Sequence, residues 1–523
     1  MPVVFIHGFS AESRLQDPAS IAMIYGALPG RIAVQLGKPP TMVNVSRWIS
    51  LDDGLDLEDL TLALDRALHH HPQNLLDTRF DVIVHSTGTL VIRNWIRRFC
   101  EPGKCPVDRI IHLAGAAWGS GWAHVGKSQM ARWARWAMGT QRGLQVLDCL
   151  EFGSTWTADL HAAFLEPKKD MFHGYGVMEF CIIGSQVSGP AVFAPVRYGK
   201  EDGSDGVVRV SSANLNHHYV RIERNPDIPL QNIRWGEAQK YAKRFHAGKW
   251  DNAKFGVDGF DAPYYRTLAD HRPLEAGGLL PQSMGTGARS RPRVPFAVVY
   301  NCSHSGEETG VVSGQAVIDS ILKDLVLPAL NCPVDAQAYE SVAVKFDKTT
   351  LETRRRASGV EHGNGVVTAL QSLLGGLVDI NFRPSAQYDS HSQVIVRARD
   401  QNGSPVKHCD VFFNSLGGGD TPRIMMNDLI QDHHQNSRNP GVHTFYLRCE
   451  CFEDGAWTDR LSQVRGLDLE ISVVDPVTQR VLYVPLRMRL TPDVVQRFIR
   501  SDRTTIIDVK LIRLPDDQTF ILA

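Results

Sequence analysis

Apolar and polar positions in the first third of the chain follow two alternating rhythms. Val3–Ile6, residues 81–84 and residues 109–113 are short, largely apolar runs bounded by polar or turn residues. That is the pattern of strands buried on both faces. Between them, Leu57, Leu60, Leu64 and Leu68 recur at helical spacing within 57–69, and residues 90–99 also read as a helix. Such alternation predicts an α/β fold, a mainly parallel sheet covered by helices on both faces. The strand pattern returns at 179–183 and 295–300, and 317–330 reads as a closing helix.

Two stretches break this rhythm. Residues 118–170 contain Trp118, Trp122, Trp133 and Trp136 with Met130 and Met138, interleaved with Arg132, Arg135 and Arg142. They are expected to form a helical cap over a site, with an ordinary packed helix as the alternative. Residues 222–292 are rich in Trp, Tyr, Pro, Gly and charge and read as a second insertion with short helices. From 377 onward the pattern turns to short strands, at 378–382, 394–398, 411–413, 444–451, 467–474, 481–486 and 505–514. Strands of this number and length predict a sandwich-like all-β domain. The division expected is a first domain at 1–335, a connecting segment at 336–376 whose basic run at 354–356 is a solvated surface, and a β domain at 377–523. No catalytic constellation is visible in the last of these. Its expected roles are binding a protein partner, mediating oligomerisation or stabilising the chain.

Charge and cysteine content narrow the function classes. Lys plus Arg number 56 and Asp plus Glu 57, a net charge of −1. This gives no support for nucleic acid as a partner. The nine cysteines show no CxxC pair and no Cys/His metal spacing, so they read as thiols in a reducing compartment. Val3–Ile6 runs directly into His7-Gly8 and reads as a strand rather than a secretory core. No run approaches the ~18 apolar residues of a membrane span. The expectation is a cytoplasmic chain made in soluble form, with signal-independent export left open.

The strongest chemical signal is Asp81-Val-Ile-Val-His85-Ser86-Thr87-Gly88-Thr89-Leu90. An apolar strand runs into a tight turn at a serine, and a helix follows. Such a turn lifts the hydroxyl out at the carboxyl end of a sheet, as in the G-x-S-x-G elbow. Gly88 matches that pattern, while Val84 stands where the first glycine is usual. A serine nucleophile needs a base, and the base needs an orienting acid. The acid candidate is Asp205, in the turn Gly203-Ser-Asp-Gly206, with Asp202 and Glu201 as competitors. The base candidate is His304, just beyond the 295–300 strand, with His271, His217 and His218 as rivals.

Several of these pieces together resemble the lipase, phospholipase and esterase branch of the α/β-hydrolase superfamily. They are Val4-Phe-Ile-His-Gly-Phe9, Val84-His-Ser-Thr-Gly88, Leu113-Ala-Gly-Ala-Ala-Trp-Gly-Ser120, Ser204-Asp-Gly-Val-Val208 with Ser211-Ser-Ala213, and His304-Ser-Gly306. The resemblance spans residues 1–330 and leaves the C-terminal β region unexplained. It implies Ser86, Asp205 and His304 as a catalytic triad working through an acyl-enzyme. It also implies an oxyanion hole built from the backbone N–H groups of Phe9 and Thr87, with His7 bracing the loop. No cofactor or metal is required, although Asp-Gly loops of this kind hold calcium in some lipases. The implied substrate is an ester, with lipid esters and peripheral membrane contact suggested by the Trp/Arg segment. A thioester, amide or polyester substrate, and a catalytically dead binding protein, are the other readings.

Overall fold

The computed structural model describes residues 1–6, 24–45, 48–49, 54–121, 123, 144–186, 201–246, 264–267, 292–363, 388–415, 429–453, 456–464, 466–473, 481–490 and 492–515. In the first 300 residues the strands are β1 (Val3–Ile6), β2 (Thr41–Val43), β3 (Phe80–His85), β4 (Val107–Leu113), β5 (Met178–Gly184), β6 (His218–Arg224), β7 (Tyr265–Thr267) and β8 (Phe296–Val299). Six of them form one sheet in the order β2-β1-β3-β4-β5-β8, and every pairing in it is parallel.

Both faces of this sheet are buried, and the two-residue period of a strand divides the side chains between them. Val4, Ile6, Val82, Val84 and Ile110 enter one core with Leu57, Leu60, Leu64, Leu90, Ile92 and Trp95. These come from helices α1 (Leu57–His69) and α2 (Gly88–Phe99). Val3, Phe5, Ile83, Ile111, Phe180 and Ile182 enter the other. There they meet the run made of Ile318–Ser320, the π-helical Ile321–Val326 and Leu327–Leu330, and Tyr339 and Phe346 of the long helix α3 (Ala336–Gly363). Helix α1 starts where its sequence directs. Asp56 accepts from the N–H groups of Glu58 and Asp59 at 2.8 and 3.1 Å, and Asp59 returns a bond to the Asp56 N–H at 3.1 Å. This reciprocal capping satisfies donors that the first helical turn leaves open.

The C-terminal strands are β9 (Ser390–Asp400), β10 (Cys409–Ser415), β11 (Ile430–Gln435), β12 (Val442–Glu453), β13 (Ala456–Asp459), β14 (Leu467–Val473), β15 (Val481–Tyr483), β16 (Leu486–Leu490), β17 (Thr504–Leu511) and β18 (Arg513–Pro515). They build a seven-stranded sheet, β11-β12-β9-β17-β6-β7 with β13 on β12, a three-stranded sheet β10-β14-β16, and the pair β15-β18. Val394, Val396, Phe445 and Val509 of the large sheet share a core with Val411, Leu469, Leu486 and Met488 of the small one. The C-terminal region is therefore two layers of sheet packed on a common core.

Three expectations change here. The 222–292 insertion carries an expected helix, at Trp235–His246, but it also contributes strand: β6 pairs in parallel with β17, and β7 pairs with β6. Residues 218–224 thus belong to the C-terminal sheet, and the two regions share chain as well as contacts. The segment beginning at 336 is helical as far as Gly363. The strand expected at 481–486 is two short strands in different sheets, while the one expected at 378–382 lies outside the described residues.

The junction between the regions is polar as well as apolar. Glu151, wholly buried, accepts from His434 Nε2 at 3.0 Å, the Ser437 N–H at 2.8 Å and Ser437 Oγ at 2.7 Å. Arg397 of β9 donates to Asp159 at 2.5 Å. Among the described residues, no helix is long and apolar enough to cross a membrane.

Candidate active site

Strand β3 ends at His85 and helix α2 begins at Gly88, so Ser86 and Thr87 alone make the turn. Ser86 has φ +54°, a left-handed conformation that a residue with a Cβ adopts only under constraint. The constraint is on both sides of the residue. Its N–H donates to Leu113 O at 3.1 Å, and its carbonyl accepts from the N–H groups of Thr89 and Ala116, both at 3.2 Å. Val84 is fully buried in the core it shares with Leu90 and Val91, so the usual glycine is replaced by a packed side chain.

The expected partners converge on this serine. His304 Nε2 lies 3.2 Å from Ser86 Oγ, and His304 Nδ1 lies 2.8 Å from Asp205 Oδ2. The other carboxylate oxygen of Asp205 accepts the N–H groups of Val207 and Val208 at 3.0 and 2.7 Å. The His304 N–H donates to the Asp205 carbonyl at 3.0 Å, tying the two loops together. A carboxylate accepts, so Nδ1 carries the proton and Nε2 is free to take the one on Ser86. Ser86 is partly exposed, whereas Asp205 and His304 are buried. Thr87, at the start of α2, presents its N–H at the positive end of the helix. Phe9, with His7 and Gly8, lies outside the described residues.

Two further residues shape the site. The His85 ring packs at a tilt beside that of His304, ring centroids 4.6 Å apart, and its Nε2–H donates to the His304 carbonyl at 3.1 Å. Burial, with the neighbouring His304 adding to it, pushes His85 down to about 3, so it stays neutral. Gly184 ends β5, where a Cβ would come within 1.8 Å of the Cys302 carbonyl, so only glycine lets the His304 loop pack there. The signal for His85 was its place in the elbow motif. Nothing local marked Gly184.

The His85 environment has a stability consequence. Its folded-state pKa lies below the unfolded value near 6.5, so the unfolded chain binds the proton more readily. Stability is lost as pH falls from about 6.5 toward 3. The thermal midpoint of His85→Gln, which keeps a donor for the His304 carbonyl, is expected to decline less steeply across that window than that of the parent protein. Equal slopes would remove His85 as a contributor.

The competing candidates sit elsewhere. Glu201 pairs with Arg209, and Asp202 Oδ1 accepts the N–H groups of Gly203 and Asp389. His217 packs on Trp118, and His218 is buried near Phe498. His271 lies outside the described residues, as do Trp122, Trp133 and Trp136 of the expected cap. Trp118 is an interior residue and not part of an exposed cap. It is 1% exposed, its ring packs on His161 and His217 at 4.0 and 4.8 Å, and it joins the core at the junction of the two regions. Its indole reaches a buried partner, the Asn214 carbonyl at 3.3 Å.

No family model matches the sequence, and no curated protein does. Solved structures do match. Phospholipase PlaB from Legionella pneumophila aligns over 100% of this chain and 96% of its own, with a TM-score of 0.70 and 21% identity. The fold is that of an α/β-hydrolase. The same phospholipase in complex with thio-NAD aligns with a TM-score of 0.70 and 20% identity, over 100% of this chain and 96% of that one. The mature form of a Bacillus licheniformis lipase covers 40% of this chain and 78% of its own, at 18% identity and a TM-score of 0.29. In this fold, Ser86, Asp205 and His304 follow β3, β5 and β8, at the carboxyl end of the parallel sheet. Open α/β sheets place their sites at that end, because the connecting loops gather there.

Proposed function

We propose that this protein is a serine carboxyl-ester hydrolase that works through an acyl-enzyme and acts on lipid or phospholipid esters. The Ser86–His304–Asp205 relay, with both hydrogen bonds within reach, carries the reading. His304 removes the Ser86 proton as Oγ attacks the ester carbonyl, and Asp205 holds the tautomer and stabilises the imidazolium. The tetrahedral oxyanion is met by the Thr87 N–H at the start of α2, and the sequence motif Val4-Phe-Ile-His-Gly-Phe9 offers the N–H of Phe9 as a second donor. Donors of this kind are each worth about 3–4 kcal/mol. His304 returns its proton to the leaving alcohol, and the same histidine then activates water to release the acid.

Two observations favour lipid over other acyl groups. The likeness to a phospholipase runs through the whole chain, the C-terminal sheets included. Residues 122–142 also interleave Trp122, Trp133 and Trp136 with three arginines, a composition suited to an ester at an anionic surface.

A fluorophosphonate probe is expected to label the wild-type protein, and Ser86→Ala to lose all labelling. A folded protein that fails to label would overturn the nucleophile. The substrate class is tested with dispersed phospholipid beside short-chain esters. Hydrolysis of the short esters alone would overturn the lipid reading.

A further inference from the structure

The loop that carries Asp205 is gripped from outside the parallel-sheet region. Residues 201–209 double back on themselves, through an antiparallel bridge between Ser204 and Arg209 and a bond from the Asp205 N–H to Val208 O at 3.1 Å. At the base of this hairpin Arg209 is 1% exposed. Its guanidinium donates to the two Glu201 oxygens at 2.8 and 2.7 Å and to Asp432 Oδ2 at 2.6 Å. It also lies between two rings, 4.2 Å from the centroid of Phe152 and 3.9 Å from that of Tyr446. Asp432 and Tyr446 face each other across β11 and β12.

The other half of the hairpin meets the same strands. The Tyr446 hydroxyl is shared by the carbonyls of Asp202 and Gly203, each at 3.0 Å. Gly203 has φ +68°, and a Cβ there would stand 2.5 Å from His391 Nδ1 and 2.8 Å from Tyr446 Oη. The backbone is therefore pressed against the β region. The His391 ring, from β9, stacks flat on Tyr446 at 4.3 Å.

We infer that the C-terminal β region positions the acid of the triad, with Tyr446 and Asp432 setting the orientation of the Asp205 carboxylate through Arg209 and the Gly203 carbonyl. This rests on Ser86, His304 and Asp205 being the acyl-transfer triad of the preceding section. The physical demand is geometric. A carboxylate that orients an imidazole must stay in line within a few tenths of an ångström, and a loop held only by its own turn does not meet that tolerance. A planar guanidinium with two carboxylate partners and two ring faces is a rigid anchor. Arg209, Asp432 and Tyr446 are positioning residues, since none of them touches the reacting atoms.

Tyr446→Phe tests this directly. The variant keeps the ring against Arg209 and His391 and removes only the hydroxyl that holds two carbonyls. Asp432→Asn is the second variant, retaining an acceptor for Arg209 without the charge. Each is assayed on a soluble ester, with phosphonate titration giving the folded, competent fraction. Both are expected to lower kcat at least tenfold with KM within twofold. Both should also move the acidic limb of the kcat/KM profile to lower pH, because a poorly placed Asp205 stabilises the His304 imidazolium less. A merely structural role predicts a lower thermal midpoint with kcat per competent molecule and the acidic limb unchanged, and that result would overturn the inference. Ser86→Ala separates the two levels. If it retains hydrolysis, the triad falls and this inference with it. If it is inactive while Tyr446→Phe matches the parent, the positioning role alone falls.

Discussion

Asp205→Asn is expected to lower kcat for ester hydrolysis by about 10⁴-fold, or about 5 kcal/mol of transition-state stabilisation, with little change in KM. The structure says why asparagine cannot substitute. One carboxylate oxygen of Asp205 accepts the N–H groups of Val207 and Val208, and the other faces His304 Nδ1. An asparagine must keep its carbonyl toward the two backbone donors, since its amide group has no acceptor to offer them. Its NH₂ then points at His304 Nδ1, which must accept. That puts the imidazole proton on Nε2, facing Ser86 Oγ, where it can no longer take the serine proton. Asp202→Asn is the matching control, because Asp202 Oδ1 accepts the backbone N–H groups of Gly203 and Asp389. A fall in kcat confined to the Asp202 variant would mean that the acid had been assigned to the wrong carboxylate. Fluorophosphonate labelling should slow in Asp205→Asn but not disappear, since Ser86 remains.

The parts of this molecule legible in the sequence are those fixed by neighbours in the chain. The parallel strands announce themselves by apolar runs, and the elbow by a serine squeezed between a strand and a helix. Asp205 and His304 were readable because each follows a strand, with a glycine one residue after the first and two after the second. What could not be read depends on partners far away. Strand β11, Ile-Gln-Asp-His-His-Gln, has one apolar residue and no strand-like alternation. Its inward side chains are satisfied across the junction, Asp432 by Arg209 and His434 by Glu151. Strand β6 pairs with a strand nearly 290 residues later, and no local pattern predicts that. Trp118 shows the opposite error. Its neighbours in sequence suggested a cap, but its ring fills the junction core.

The same dependence on distant partners governs the largest expected effect on stability. Arg93→Met is expected to destabilise the protein by about 3–5 kcal/mol at neutral pH, read from urea unfolding followed by tryptophan fluorescence. Arg93 of α2 and Glu179 of β5 form a buried ion pair, each side chain only 4% exposed. His112 Nε2 adds a bond to Glu179 at 3.1 Å, and the Arg93 guanidinium lies 4.6 Å from the Phe164 ring centroid. Burial alone would push the Glu179 carboxyl up, but Arg93 and His112 outweigh it and hold it down at about 2. In the parent, this group contributes stability above the unfolded value near 4.5, and the contribution is lost as pH falls toward 2. Methionine fills the arginine stem but leaves Glu179 without its cation. Burial then dominates, the folded pKa rises above the unfolded one, and the sign of the pH dependence inverts. The gap between parent and variant should therefore be widest near pH 7 and narrow toward pH 4. The double variant Arg93→Met with Glu179→Leu removes the stranded charge and should recover most of the loss, because an ion pair with this little water repays its desolvation only while both members are present. A gap that is the same at pH 7 and pH 4, or a double variant no more stable than the single, would show that Arg93 acts through packing on Phe164 and not through Glu179.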